Sequence, residues 1–443
     1  MRNLFVRRVF AIITLVACLY LMLTAARGGV SRFLSQYGPT AGLLLAQDGS
    51  PPEEQFKLVD TAVSFSPADP DAHHARGVVF YETNRFAEAA TEFERSVAAQ
   101  PRFHFLWVKL GQARAGAGDA EGALAAYREA VRLAPFYSEP RWQLGNLLLR
   151  MNETEEAFVE LRQAAASAPA LLPYTTNLAW GAFGGDAARI VQALRPETPV
   201  EQLDLARMFA QRGETRAAME LFRRAGGKAS AESRRALLEE LLKAKQFVAA
   251  REVWSRGRRV SGVAGDIDIP DERSVNEKEG VGVITDPSFE QAIRRDDPGF
   301  GWQIPQTARG VGFDLDVGDP RAGNRSLRIN WAGNSSPQSP VFSQLVLVEG
   351  GTRYRLAFAS RAERVRTGGL PIIIVTDATT EGELVRSKPL LPDAASWQND
   401  VIEFNTPPAA SAVRISIARE NCSSGPCPVF GHTWLDEFSL RKL

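Results

Sequence analysis

The sequence predicts a multidomain chain: an N-terminal transmembrane helix, an all-α superhelix of stacked helix pairs, and a C-terminal all-β sandwich. Three observations predict it. An uncharged run of 18 residues extends from Val9 to Ala26. From Asp71 to Pro169 four classes of position recur at a spacing of 34 residues. After Val281 the hydrophobic period changes to two.

The run from Val9 to Ala26 is just long enough to cross a bilayer as a helix. Arg2, Arg7 and Arg8 precede it, so the positive-inside rule leaves residues 1–8 in the cytoplasm and makes residues 9–26 a single-pass anchor. Two alternatives compete. A signal peptide could end at Ala26, and Leu15-Val16-Ala17-Cys18 has the letters of a lipoprotein box. Against the box, the apolar run continues through Leu19 to Leu23. Each reading places the bulk of the chain outside the cytoplasm, in the periplasm or beyond the cell, on a bacterial cell membrane.

In the repeat, Gly77, Gly111 and Gly145 keep one register. So do Ala89, Ala123 and Ala157; Phe93, Tyr127 and Leu161; and Pro101, Pro135 and Pro169. A fixed period of this length means stacked supersecondary units. Each unit reads as two antiparallel helices. Gly111 lets the second helix approach, Ala123 faces it, and Tyr127 and Ala130 continue that stripe. Gly116 and Gly118 fall at the turn, and Pro135 ends the second helix. One hairpin cannot bury both apolar faces, so copies stack. Weaker copies flank the clear ones, at Thr40 to Pro67, Leu172 to Pro196, from Val200, and from Ser230 to Arg258, giving an array over residues 40–258.

At Trp107, Leu110, Gly111, Ala123, Tyr127, Ala130 and Pro135 the chain resembles the tetratricopeptide repeat family. The third copy departs from the pattern, because Trp142 stands one place later than Trp107. The resemblance implies a right-handed superhelix whose concave face takes peptides or other proteins.

Residues 259–280 are polar and aperiodic and read as a linker. Residues 281–443 then alternate. Val311, Phe313, Leu315 and Val317 form one set; Leu327, Ile329 and Trp331 another. Tyr354, Leu356 and Phe358, and Val413, Ile415 and Ile417, give two more. Trp434, Phe438 and Leu440 are expected to share one face of a last strand. Short alternating strands split by Gly, Pro, Asn and Asp make a sandwich of roughly eight to ten strands.

This domain resembles the jelly-roll carbohydrate-binding modules of families four and nine. The likeness rests on Pro287-Ser288-Phe289-Glu290, Phe300-Gly301-Trp302, Gly351 to Leu356, Trp397 and Trp434-Leu435-Asp436-Glu437-Phe438. It implies a sugar-binding surface and a structural calcium held by acids near the two ends of the domain, positions matched here by Glu290 and Asp436.

The candidate sites follow. The protein-binding groove would be lined by first helices: His74, Val78 and Tyr81; Phe105, Lys109 and Gln112; Trp142, Asn146 and Arg150; and Arg207. Trp142, turned by its one-place shift, is the expected hot spot, with packing against a neighbouring repeat as the competing role. Trp302, Trp331, Trp397 and Trp434 are candidate sugar platforms, with packing in the core as the competing role for each; Trp331, at a strand end, is the glycan-binding candidate expected to be most exposed. Cys422 and Cys427 should form a disulfide in an exported chain, with a metal site near His432 and Asp436 as the rival. Net charge is zero, from 52 basic and 52 acidic residues, so there is no global basic field and no nucleic-acid partner is expected. No phosphate-binding glycine loop, nucleophile elbow or metalloprotease helix occurs. The expected function is a scaffold without cofactor other than that calcium. It would grip a protein through the groove and a glycan or protein through the sandwich, in polysaccharide export or envelope assembly. The alternatives are a glycan-processing enzyme in the sandwich and a protein-interaction subunit that binds no sugar.

Overall fold

The computed structural model describes residues 16–33, 52–260, 280–293, 295, 298–305, 308, 310–333, 335–337, 339–422 and 427–443. The chain divides into two compact units, Met1–Arg195 and Pro196–Leu443.

The first unit is helical. It contains α1 (16–33), α2 (Pro52–Phe65), α3 (Pro70–Glu82), α4 (Phe86–Ala99), α5 (His104–Gly116) and α6 (Ala120–Leu133). It continues with α7 (Ser138–Arg150), α8 (Thr154–Ser167), α9 (Leu172–Ala182) and α10 (Ala187–Leu194). The expected anchor is corrected here. Among the described residues no helix is long and apolar enough to cross a membrane. Residues 1–15, the tail and the first part of the expected span, lie outside the described residues. Within α1 the apolar stretch stops at Arg27 and the helix runs on through Arg32. Ser31 is buried and donates to Ala62 O (3.1 Å) and Asp69 Oδ2 (3.0 Å). A single-pass anchor, and the envelope location that rested on it, are therefore not supported.

Pairs α3/α4, α5/α6 and α7/α8 close by one device. A Cβ on Gly77 would stand 2.7 Å from the Phe93 ring, and one on Gly111 would stand 2.5 Å from the Tyr127 ring. At Gly145 the corresponding neighbour is Leu161, at 2.6 Å. Real side chains do not approach so closely, so each glycine is a notch filled by the large residue 16 positions later. The alanines at 89, 123 and 157 are fully buried beside these notches. Between the helices of each pair one residue is left-handed: Asn84 (φ 59), Gly118 (φ 84) and Asn152 (φ 65), again 34 apart. A left-handed residue at this point ends the first helix and reverses the chain.

A second device ties each first helix to the proline before it. Trp107 Nε1 donates to Pro101 O (2.9 Å), and Arg141 Nε donates to Pro135 O (2.8 Å). His73 Nε2 meets Pro67 O at 2.8 Å. These positions are also 34 apart. In the second unit Gln202 Nε2 donates to Pro196 O at 3.2 Å. An indole, a guanidinium, an imidazole and an amide thus satisfy the same carbonyl, that of the proline in the turn before each first helix. The register slot of Trp107 in the third copy is taken by Arg141, not by Trp142.

The second unit opens with α11 (Pro199–Gln211), α12 (Thr215–Ala225), α13 (Ala231–Lys243) and α14 (Phe247–Val260). Residues 261–279, most of the expected linker, lie outside the described residues. Among the described residues nine strands follow: β1 (Val311–Asp316), β2 (Ser326–Gly333), β3 (Phe342–Leu347), β4 (Arg353–Thr367) and β5 (Pro371–Asp377), then β6 (Glu383–Arg386), β7 (Ala394–Asn405), β8 (Ala412–Arg419) and β9 (Val429–Lys442). They form two antiparallel sheets, β1-β2-β9-β4-β7 and β3-β8-β5-β6. One core gathers Leu327, Ile329, Leu356 and Phe438 of the first sheet with Phe342, Ile373, Ile415 and Ile417 of the second. Phe289 and Trp302, from the segment before β1, join it, with Trp302 stacked on Phe342 at 5.1 Å.

Two details depart from the alternation. Val317 lies beyond β1 and is 71% exposed. Trp434 does not share a face with Phe438 and Leu440. The β4–β9 register shifts between Ala357/Ala359, and Glu437 there adopts φ 51. The extra residue inverts the parity of the strand. Leu435, Phe438 and Leu440 therefore face the core, while Trp434 lies on the outer face beside Arg361.

The last helix packs on this sandwich. Trp254 of α14 is buried edge-on against Phe300 at 5.9 Å. Arg251 lies over both rings, at 4.7 and 5.2 Å, and donates to Thr285 Oγ1 at 3.1 Å. Gly299 has φ 132, and a Cβ on it would overlap the indole of Trp254. Gly299→Val should therefore lower the stability of this unit by about 1–3 kcal/mol through overpacking and backbone strain. Urea unfolding followed by Trp fluorescence checks it, and an unchanged midpoint would contradict this packing.

Candidate functional site

The predicted groove residues on α3, α5 and α7 all lie on first helices. His74, Tyr81, Lys109, Gln112, Trp142 and Asn146 are half-buried, and Arg150 is exposed. Arg207 lies exposed on α11, in the second unit. Beside it, burial raises the Asp204 carboxyl and the Arg207 charge partly offsets this.

His74, Phe105 and Lys109 form one cluster. The His74 ring lies 5.6 Å from Phe105 and 5.8 Å from Phe93. Lys109 Nζ sits 5.3 Å over the Phe105 ring. Burial first, and then the Lys109 charge, push His74 down to about 4. The imidazole is neutral at ordinary pH, and its buried Nε2 has no hydrogen-bond partner. It contributes apolar surface rather than charge.

Trp142 is half-buried and meets Tyr174 of α9 edge-on at 6.5 Å. Asn146 Nδ2 donates back to Trp142 O at 2.8 Å, which holds the amide against the helix. Lys109 and Arg150 have no carboxylate within ion-pair distance among the described residues.

The sequence reasoning missed a line of exposed aromatic rings at the starts of α5, α7 and α9. Phe103 is 48% exposed, Tyr137 61% and Tyr174 62%. Phe103 contacts His104 and Phe105, and His104 reaches Tyr137 at 4.9 Å. The signal was present: Phe103 and Tyr137 each stand two places after a repeat proline. Contiguous bare apolar surface on a folded domain marks an interaction site.

In the sandwich, Trp331 is buried and donates Nε1 to Thr433 Oγ1 at 3.0 Å. Its ring lines the core, so it offers no stacking face to a sugar. The strand does not end at Trp331: β2 runs to Gly333, and Trp331 pairs with Val311 on one side and Gly431 on the other. On the outer face of the larger sheet, Arg361 lies 4.5 Å over Trp434 and 5.4 Å over the half-exposed Trp397. Trp434 Nε1 donates to Asp316 Oδ2 at 2.6 Å, and Trp397 Nε1 to Asp319 O at 3.1 Å.

Glu290 and Asp436 both clamp the loop before β2. Glu290 Oε1 accepts from the backbone of Asn324 (2.6 Å) and Arg325 (3.0 Å), and Oε2 accepts from Asn324 Nδ2 (3.4 Å). Asp436 Oδ2 accepts from Arg321 N (2.8 Å) and Ala322 N (3.0 Å), and Oδ1 accepts from Glu437 N (2.7 Å). Every carboxylate oxygen of the pair is aimed at an N–H, where a calcium ion needs bare oxygen ligands. The two residues do not fit a shared cation. Among the described residues no cluster of three His, Cys, Asp or Glu could hold a metal. Cys422 and Cys427 are disulfide-bonded, with Cα atoms 6.1 Å apart.

The tetratricopeptide repeat family model matches residues 106–137. The chain is 29% identical to protein FlbA of Caulobacter vibrioides over 136 residues, 30% of this chain and 23% of FlbA. It is 30% identical to the peroxisomal targeting signal receptor of Eremothecium gossypii over 91 residues, 20% of this chain and 16% of the receptor. The chain thus spans about a quarter or less of these curated relatives. Among solved structures, a family-four carbohydrate-binding module is similar over 36% of this chain and all of its own, at 15% identity and a TM-score of 0.28. At that score the likeness carries no argument. The chain carries tetratricopeptide repeats followed by a β-rich C-terminal region, the arrangement of a protein-interaction scaffold.

Proposed function

We propose that the first-helix face of α3, α5 and α7 binds an extended, acidic peptide segment of a protein partner. The exposed aromatic rings of Phe103, Tyr137 and Tyr174 carry this reading, set against Phe93 and Tyr127, whose rings fill the glycine notches. Trp142 supplies a half-buried ring beside Tyr174, and Lys109 and Arg150 supply cations with no carboxylate in ion-pair distance among the described residues. Tight binding concentrates in such aromatic and cationic anchors. One relative supports the class, since it is a targeting signal receptor.

The test is selection of random displayed peptides against the full chain. The expected winners carry acidic and apolar residues. They should lose about tenfold or more in affinity on Lys109→Glu and on Trp142→Ala. Winners that bind both variants as tightly as the parent would contradict the site.

For the sandwich, the proposal is a docking module for glycan or protein, with the outer face at Trp397 in place of Trp331. Trp397 is half-exposed and flanked by Arg361, the pairing of ring and hydrogen-bond donor that a sugar uses. Binding of the full chain on a glycan array, lost in Trp397→Ala, supports the sugar partner, and a silent array leaves protein. The reading assigns no catalytic step.

A further inference from the structure

Arg419, at the end of β8, is fully buried, and among the described residues no carboxylate hydrogen-bonds to it. Its Nε donates to Gly369 O (3.2 Å), and its Nη1 donates to Ser335 O (2.7 Å) and Oγ (2.9 Å). Its Nη2 donates to Thr367 Oγ1 (2.6 Å), Cys427 O (3.1 Å) and Cys427 Sγ (3.0 Å). A buried cation met only by neutral acceptors is costly. Of these acceptors only the Cys427 sulfur can readily become an anion.

We propose that Cys422–Cys427 is a thiol–disulfide exchange site in which Arg419 stabilises Cys427 as the leaving thiolate. Both cysteines are half-buried, and exposed Gly368, which has no side chain, flanks Cys422 Sγ. An incoming thiolate attacks Cys422 Sγ. The Cys422–Cys427 bond breaks, a mixed disulfide forms on Cys422, and the electron pair leaves on Cys427 Sγ beside the guanidinium. No proton or outside oxidant is consumed. In the reverse direction the Cys427 thiolate attacks Cys422 Sγ and expels the incoming group. A sulfur whose thiolate is stabilised leaves faster, and stabilising the reduced form makes a disulfide more oxidising. The adjacent acid, Glu420, lies in the field of Arg386.

The full chain is equilibrated with glutathione buffers, natively and in urea, and its free thiols are trapped with a maleimide and counted by mass. The native pair should be half-reduced at a ratio of [GSH]² to [GSSG] about tenfold or more below that needed in urea. A disulfide that only braces the fold does the opposite, so a native ratio equal to or above the urea value overturns the proposal. In Cys422→Ser, alkylation of Cys427 should show a midpoint about one pH unit or more below the ordinary thiol value of about 8.5. Arg419→Gln on that background should restore the ordinary value. A midpoint at or above about 8.5 with Arg419 in place overturns the assignment, even where Arg419→Gln fails to fold. Reduction rates with glutathione and with reduced thioredoxin distinguish a small thiol from a protein thiol as the natural reactant. Resistance to both overturns the proposal.

Discussion

Glu92→Ala should destabilise the first unit by about 3–5 kcal/mol, the cost of breaking a buried ion pair and leaving its cations behind. Glu92 is 4% exposed on α4. It accepts from His73 Nδ1 (2.7 Å), Arg76 Nη2 (2.7 Å) and Arg95 Nη1 (2.8 Å). Arg95 is mostly exposed and adds little. The loss falls on His73 and Arg76. His73 has an acceptor at both nitrogens, the Glu92 carboxylate and Pro67 O, so both must carry hydrogen and the ring is an imidazolium.

The hydrogen bond to Glu92 accordingly raises His73 above its ordinary 6.5 against the opposing effect of burial. Burial alone would raise Glu92, but the bonds from His73 and Arg76 outweigh it and hold it at about 2, below the usual 4.5. The His73 contribution is fully present below pH 6.5 and is lost as pH rises through its raised folded value. The Glu92 contribution is present above pH 4.5 and is lost as pH falls through about 2. Unfolding midpoints across pH should therefore fall on both sides of that window in the parent, and the dependence should flatten in Glu92→Ala. A parent-like midpoint for the variant would contradict the network.

Tyr127→Ala should cost about 3–5 kcal/mol, the range for removing a buried aromatic ring. The ring is 2% exposed and fills the notch over Gly111, in a core with Val108, Leu124 and Leu144. The cavity would open between α5 and α6, and the rigid glycine backbone cannot collapse into it. Gly111→Ala attacks the same contact from the other side, so the two changes should be strongly non-additive in a double-mutant cycle. Denaturant unfolding followed by helical signal reads both, and additive costs would mean that glycine and ring do not act as a unit.

The notch was legible because it demands one residue type at each position, so Gly, Ala and a large side chain keep the period in plain letters. The proline tie was not. His73, Trp107 and Arg141 share only an N–H that reaches the same carbonyl, and such different side chains conceal the common register. By letter Trp142 reads as a displaced Trp107, whereas Arg141 holds that slot. The turns hid for a similar reason, since Asn84, Asn152 and Lys245 take the left-handed place that glycine fills at Gly118. In the sandwich the alternation itself put Trp331 inside with Leu327 and Ile329. The expectation of exposure rested on a strand end that pairing on both sides abolishes. The bulge at Glu437 that turns Trp434 outward leaves no mark in the pattern of hydrophobic residues.

The central claim is that the first helices present a binding face for peptide. The most direct measurement is photo-crosslinking of a selected peptide carrying a benzophenone to the full chain, with the attachment sites mapped by mass spectrometry. Attachment should fall on α3, α5, α7 and the start of α9, around Phe105, Lys109, Trp142 and Tyr174, and should vanish with Trp142→Ala. Attachment confined to the second helices α4, α6 and α8, or to the sandwich, would contradict it.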